Sequence, residues 1–121
     1  MGTWSKIILS CSVDGQSIVV TGSAPSLGSV IHTAVTGAEA SLDEVIIYAY
    51  NTVTTAREIS FAIGPTTATG SQYTHTLPAG DFGGLQPVMP GLVLRNAKVI
   101  KAFVTADSGV QVFGWVNRYA S

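Results

Sequence analysis

The sequence predicts a single all-β domain, an antiparallel β-sandwich of about seven to nine short strands. Short apolar segments recur along the 121-residue chain and are separated by Gly, Pro, Asp and Asn. No segment keeps a 3.6-residue hydrophobic period over ten or more positions, so amphipathic helices are not expected. The length suits one domain. A jelly roll and an immunoglobulin-like sandwich both fit, because the sequence does not specify the strand order.

The first third of the chain predicts short strands separated by glycine-containing loops. Residues 4–13 are apolar and β-prone, and they predict either a first strand or an N-terminal arm that lies on a neighbouring molecule. We therefore divide the chain into a strand or arm at 1–13 and a β-sandwich domain at 14–121. Residues 17–21 and 29–35 predict the next two strands.

Two pairs of longer segments predict the core of the domain. Residues 43–50 and 57–63 are joined by a short polar link, as in a β-hairpin. Residues 98–105 and 110–119 predict a second hairpin around a turn at 106–109. Several of these strands are apolar on both faces, and such strands are covered on both faces. We therefore expect a second subunit to cover one of the two faces of these strands.

The segment between the two predicted hairpins alternates a strand with turns. Residues 72–77 predict a strand with one solvated face, whereas residues 78–84 and 87–91 are rich in Gly and Pro and predict turns. The glycine run at 80–84 lacks the Gly-Lys-Ser/Thr sequence of a phosphate-binding loop, so we interpret it as a turn. Residues 92–94 predict a short strand.

The composition limits the classes of partner. Charged residues make up 11% of the chain, against about 25% in an average soluble protein, so a partner is expected to cover part of the surface. The net charge of −1 provides no basic patch, and we expect no nucleic acid partner. No segment approaches the roughly 20 apolar residues of a transmembrane helix, and we expect no membrane association.

The sequence contains no recognisable catalytic or metal-binding motif. His32 and His75 are each expected to be ordinary strand residues whose polar edge meets water or a hydroxyl group. The lone Cys11 is expected to be a small buried thiol, and these three residues lack the spacing of a metal site. Asp43 and Glu44 are neighbours on a strand and point to opposite faces, so we expect them to solvate the start of the strand. We predict no enzyme activity, no cofactor and no metal.

Aromatic side chains on the predicted strands indicate an interface or a sugar-stacking platform. Aromatic residues on strands belong more often to a core or an interface. The candidate interface residues are Trp4, Ile7, Ile8, Tyr48, Tyr50, Phe113, Trp115, Arg118 and Tyr119. The sugar-stacking alternative would use Trp4, Tyr48, Tyr50, Tyr73, Trp115 and Tyr119.

The order of several short motifs resembles small virion proteins of tailed bacteriophages. The resemblance covers roughly residues 30–119 and includes a C-terminal Gly-aromatic-Val-Asn-Arg segment. The segments that carry it are 30–34 (VIHTA), 41–45 (SLDEV), 49–51 (AYN), 55–57 (TAR) and 114–119 (GWVNRY).

This resemblance implies a β-sandwich head decoration (cement) protein or a small head–tail component. Such proteins bind the capsid lattice as dimers or trimers and are not catalysts. The implied partners are a second copy of the chain and the major capsid protein, and the implied location is the capsid surface of the virion after synthesis in the host cytoplasm. The alternative is a host-attachment or glycan-binding module of the virion, such as a head fibre or tail component. A β-barrel enzyme ranks third.

Overall fold

The computed structural model describes residues 2–24, 28–37, 40–64, 72–104 and 109–120. This part of the chain contains nine strands and a single helical turn, α1 (Gly80–Gly83), so the all-β prediction is confirmed. The strands are β1 (Thr3–Ile8), β2 (Ile18–Val19), β3 (Ser29–Thr33), β4 (Leu42–Asn51), β5 (Arg57–Gly64), β6 (Gln72–Leu77), β7 (Gln86–Leu94), β8 (Val99–Val104) and β9 (Val110–Ala120).

The strands form two antiparallel sheets. The five-stranded sheet has the order β1-β9-β4-β7, and β2 also pairs with β9. The four-stranded sheet has the order β3-β8-β5-β6. Inward-facing side chains of both sheets form one hydrophobic cluster, so the predicted β-sandwich is confirmed.

The pairing pattern is nested around the β5–β6 hairpin. Moving outward from this hairpin, β4 pairs with β7, β3 with β8, and β1 and β2 with β9. Successive nested pairs lie in alternate sheets, as in a long hairpin that has been rolled up. This is the topology of a jelly roll, in which β1 and β2 share the place of the first strand. The structure thereby selects between the two architectures that the sequence left open.

Strict alternation along the strands places the core between the sheets. Val45, Ile47 and Ala49 on β4 are fully buried. Ile46, Tyr48 and Tyr50, which alternate with them, are only partly buried. This period of two is the expected signature of a strand with one face inward. The other fully buried strand residues include Ile31, Ile59, Phe61, Ile100, Ala102, Val104, Val110, Val112 and Val116.

The two predicted hairpins are wrong, although their strands are correct. β4 and β5 lie in different sheets, and so do β8 and β9. The link at residues 52–56 crosses between sheets that pack about 10 Å apart, and a five-residue link is long enough for this crossing. A short polar link can join two strands of one sheet or cross between two sheets, so the sequence of this link does not distinguish a hairpin from a crossover. The turn predicted at 106–109 lies largely outside the described residues.

The predicted turn at 87–91 is also wrong, because these residues belong to β7. β7 is an edge strand that pairs only with β4 among the described strands. Proline lacks a backbone N–H, but an edge strand tolerates it because one side of the strand needs no partner. Two register shifts opposite Val45, Ile47 and Tyr48 give the ladder the irregularity of β-bulges.

The N-terminal segment joins the sandwich of its own chain. β1 pairs with β9 in continuous register from Thr3 opposite Ala120 to Ile8 opposite Trp115. Leu9 follows and is buried in the core. Residues 1–13 were predicted to be either a first strand or an arm that lies on a neighbouring molecule. Residues 3–8 form a strand of their own chain's sheet. The chain then turns, as the Ser12 amide donates to the Leu9 carbonyl over 2.9 Å. Cys11 is exposed in this turn, so the prediction of a buried thiol is wrong.

Candidate functional site

The outward-facing side of the five-stranded sheet carries most of the predicted interface residues. Since alternate residues of β4 and β9 fill the core, their neighbours in sequence point away from it. We call this surface the outer face. Its described residues on β1, β4, β7 and β9 include Trp4, Lys6, Ile8, Leu42, Glu44, Ile46, Tyr48, Tyr50, Val93, Gln111, Phe113, Trp115, Asn117 and Tyr119.

The strand register arranges these side chains in rows across the sheet. From one end to the other, the rows are Trp4–Tyr119–Leu42, Lys6–Asn117–Glu44, Ile8–Trp115–Ile46, Phe113–Tyr48 and Gln111–Tyr50. We call the Lys6–Asn117–Glu44 row the polar row. It contains both formal charges of the described outer face, and apolar or aromatic rows flank it on both sides.

The aromatic rings of the outer face pack against one another. Trp4 and Tyr119 have ring centroids 5.3 Å apart, and Tyr48 and Trp115 stack at 5.9 Å. The Lys6 ammonium lies 5.5 Å from the centre of the Trp115 ring, in cation–π contact. Trp4 nevertheless remains 61% exposed. A contiguous exposed surface of this kind is typical of association sites.

The predicted interface residues do not all lie on this face. Trp4, Ile8, Tyr48, Tyr50, Phe113, Trp115 and Tyr119 do, and their role in an interface stays a prediction. Ile7 instead packs partly against the core, and Arg118 pairs with Asp43.

The six-residue sugar platform is also not assembled as predicted. Tyr73 lies on β6 in the other sheet, where its hydroxyl donates to the Val88 carbonyl over 2.8 Å. Burial raises the pKa of Tyr73 to about 12.

A buried polar cluster of His32, Asp43 and Arg118 joins the two sheets. His32 and Asp43 have no exposed surface, and His32 Nε2 lies 2.7 Å from Asp43 Oδ2. Arg118 donates to both carboxylate oxygens, over 2.7 Å and 2.9 Å, a bidentate arrangement that favours strong hydrogen bonds. The prediction that Asp43 solvates the start of its strand is therefore wrong. Its partners come from β9 and from β3, and sequence spacing does not indicate either.

The hydrogen bonds specify the protonation state of His32. Its Nδ1 accepts from the Ser10 backbone N–H over 3.0 Å, so the neutral ring carries its proton on Nε2 and donates it to Asp43. Burial lowers the pKa of His32, although Asp43 opposes the shift. The prediction that the ring edge of His32 meets water or a hydroxyl is wrong, because a carboxylate and a backbone amide occupy both ring nitrogens.

The pKa of Asp43 is also lowered, because its charged neighbours oppose the effect of burial. Burial raises the pKa of Asp43, but the hydrogen bonds from Arg118 and His32 outweigh it and hold that pKa below its ordinary value. The hydrogen bond with Asp43 in turn raises the pKa of Arg118. The carboxylate is therefore ionised, with the guanidinium as its counter-charge.

The cluster has the geometry of a structural link. A general base needs a ring nitrogen that can reach the proton of a nucleophile, and both nitrogens of His32 are already bonded inside the protein. Ser10 Oγ accepts from the Thr33 amide over 2.8 Å and does not contact the His32 ring nitrogens in this arrangement. His32 comes from the four-stranded sheet and its two partners from the five-stranded sheet, so the cluster connects the layers.

The polar row also lines an open cleft of about 430 Å³ between Trp4, Ser5, Lys6, Glu44 and Asn117. Glu44 Oε1 accepts from Asn117 Nδ2 over 3.0 Å. The exposed indole provides an apolar wall, while the ammonium, carboxylate and amide provide polar contacts. Such a cleft could hold a polyhydroxylated ring.

Comparisons of the chain with protein-family models, curated proteins and solved structures give no match. Within the described residues, no group of three or more His, Cys, Asp or Glu side chains could hold a metal ion. A search of the same residues finds no helix with the length and apolar character needed to cross a membrane.

Proposed function

We propose that this protein is a non-enzymatic structural component of a phage virion, a head decoration (cement) protein. In this proposal it self-associates as a dimer or trimer and binds the assembled lattice of the major capsid protein on the capsid surface. The observation that carries the proposal is the outer face, where rows of partly exposed aromatic and aliphatic side chains contain only two formal charges among the described residues. The resemblance over residues 30–119 provides the virion context.

The physical logic of the proposal is multivalency. Each copy offers a modest contact area to the capsid, which alone gives limited affinity, and the outer face provides the self-association that joins several copies. A capsid lattice presents the same binding site many times, so an oligomer that engages several sites gains affinity without new contacts. The protein should therefore bind assembled capsids more tightly than free capsid subunits.

The fold is compatible with this role but does not select it. Jelly rolls occur in viral capsid proteins and also in lectins, and a fold by itself does not determine function. The proposal depends on the surface chemistry of the outer face, and the experiment must address that surface.

The test compares particles of the phage that encodes the chain, with the gene intact or deleted. We expect purified heads to carry the chain in many copies, and heads that lack it to release DNA at a lower temperature. Complementation with Trp115→Ser should fail to restore thermal stability, whereas Glu58→Gln, an exposed change on the other sheet, should restore it. Equal stability of both kinds of particle, with the chain absent from purified heads, would overturn the proposal.

The cleft at the polar row favours a second candidate, glycan binding by a host-attachment module. Its exposed Trp4 could stack on a sugar ring while Lys6 and Glu44 bind hydroxyl groups. Titration of the purified chain with a saccharide panel tests this candidate, and Trp4→Ala should abolish any binding. Particles without the chain that are equally robust but fail to adsorb to cells would favour this candidate over the first.

A further inference from the structure

The polar row places opposite charges symmetrically about the central strand. Lys6 on β1 and Glu44 on β4 both lie directly opposite Asn117 on β9, one on each side. Each is therefore one strand spacing from β9, and they are about 9–10 Å apart within one chain. The Lys6 ammonium rests over the Trp115 ring, and Glu44 accepts a hydrogen bond from the Asn117 side-chain amide.

We propose that the outer face packs against the outer face of a second copy, about a two-fold axis that lies in the interface and runs parallel to β9. This inference depends on the proposed self-association and specifies its geometry. A two-fold interface must be self-complementary, because the same surface contributes both sides. The outer face meets this condition in charge, because Lys6 and Glu44 lie on opposite sides of β9.

Rotation about this axis exchanges the β1 side of β9 with its β4 side and keeps each row at its own height. Lys6 then faces Glu44 of the partner subunit, and Glu44 faces Lys6 of the partner subunit. The same charge pair therefore forms twice. The aromatic rows on both sides of the polar row meet their own counterparts in the same operation.

The twist of the sheets does not prevent these contacts. Stacked sheets cross at about 30°, which displaces side chains one strand away from the axis by only about 2–3 Å. Lysine and glutamate side chains are long enough to bridge such a displacement. A two-fold axis along the polar row instead would bring Lys6 opposite Lys6 of the partner subunit, and like charges would then face each other.

The area of the outer face suits a dimer. Four strands at about 4.8 Å spacing and ten residues at about 3.4 Å give a face on the order of 650 Å² per copy. The two copies together would bury roughly 1,300 Å², which lies within the range of stable, specific interfaces. A surface of mixed aromatic and aliphatic residues with few charges is also typical of an interface core.

Charge reversal tests the arrangement because it makes each variant incompatible with itself but complementary to the other. We expect Lys6→Glu and Glu44→Lys each to weaken the homodimer by about tenfold or more, since like charges would then face each other. An equimolar mixture should restore association as a heterodimer, because every facing pair is again opposite. The double variant Lys6→Glu/Glu44→Lys should form a homodimer with near wild-type affinity.

Sedimentation equilibrium gives the dissociation constants, and circular dichroism verifies that each variant is folded. A control variant, Glu58→Gln on the other sheet, should leave the dissociation constant unchanged. Single variants that associate as tightly as the wild type, or a mixture that does not recover, would overturn the face-to-face arrangement and leave the proposed self-association intact. A wild-type chain that stays monomeric alone and on capsids would overturn both.

Discussion

Asp43 and Glu44 are adjacent carboxylates with opposite environments. Asp43 points inward and is fully buried between Arg118 and His32, whereas Glu44 lies on the outer face beside Asn117. The alternation of a strand accounts for the opposite directions and could be predicted. The inward direction of Asp43 could not, because the hydrophobic pattern of β4 is apolar on both faces. A usable signal was present in Arg118, which is the one charged residue of β9 and has the opposite charge.

Replacing Asp43 with Asn should destabilise the protein strongly. The change removes the counter-charge of Arg118, whose side chain is 28% exposed, and leaves one acceptor oxygen where His32 and Arg118 now share two. A buried polar group left without its partner costs about 1–3 kcal/mol. Urea titration should show this loss in the free energy of unfolding. Glu58→Gln, at an exposed carboxylate, should change that free energy by less than about 0.5 kcal/mol. Similar effects of the two substitutions would contradict the structural role of the cluster.

The stability of the protein should fall as the pH decreases below about 6.5, the ordinary pKa of histidine. His32 has a lowered pKa when folded, so between its folded pKa and 6.5 the unfolded chain binds more protons than the native protein. The free energy of unfolding then decreases with a slope of up to about 1.4 kcal/mol per pH unit. The lowered pKa of Asp43 adds a further loss only in more acidic solution, below about pH 4.

Denaturant titrations across this pH range measure the slope, and NMR titration of the imidazole protons assigns it. The signals of His32 should stay those of a neutral ring well below pH 6.5. His75→Gln serves as the control and should keep the slope, because His75 lies on β6 outside the cluster. A stability that does not change between pH 7.5 and pH 5 would be inconsistent with a neutral, hydrogen-bonded His32.

At the scale of elements, β9 organises the five-stranded sheet because it pairs with β1, β2 and β4. Its existence and length could be predicted from its apolar alternation. Its central position could not, because pairing partners depend on contacts between segments far apart in sequence. The same limitation explains the wrong hairpins: local pattern identifies a strand, but it does not distinguish a neighbour in the same sheet from one in the opposite sheet. Only residues 92–94 of β7 were predicted as a strand, because the two prolines in its first half are tolerated only at a sheet edge.

Gly114 allows the close approach of β9 and β4, and its replacement should destabilise the sheet. A Cβ atom at this position would collide with the carbonyl oxygen of Ile46 and would lie 3.1 Å from Ile47 Cα. Both contacts are with backbone atoms, which cannot move aside as a side chain could. We expect Gly114→Ala to cost about 1–3 kcal/mol, the usual range for overpacking. Thermal and urea unfolding would measure it, with Gln111→Ala on the same strand as control. Unchanged stability of Gly114→Ala would show that the strands separate without cost.

For the molecule as a whole, the sequence predicted the β-sandwich, but not which strands pair or how the chain passes from one sheet to the other. Short alternating strands and the absence of helical periodicity were sufficient for the fold class, and the nested pairing then distinguished the jelly roll. The aromatic residues of β4 and β9 were predicted as interface candidates because both faces of these strands are apolar, and that role stays a prediction. Ile7 was included because parity within β1 is not evident from its sequence, and the structure directs it inward.

The mass of the purified chain in solution tests most directly whether the outer face is an association surface. Light scattering at micromolar concentration should give at least twice the 12.5 kDa of one chain. Replacing Tyr48 and Trp115 together with Ser should return the mass to that of the monomer without unfolding the protein, whereas Thr76→Ala on exposed β6 should not. A wild-type mass of 12.5 kDa at every concentration, or an oligomer that the outer-face substitutions leave unchanged, would contradict the account.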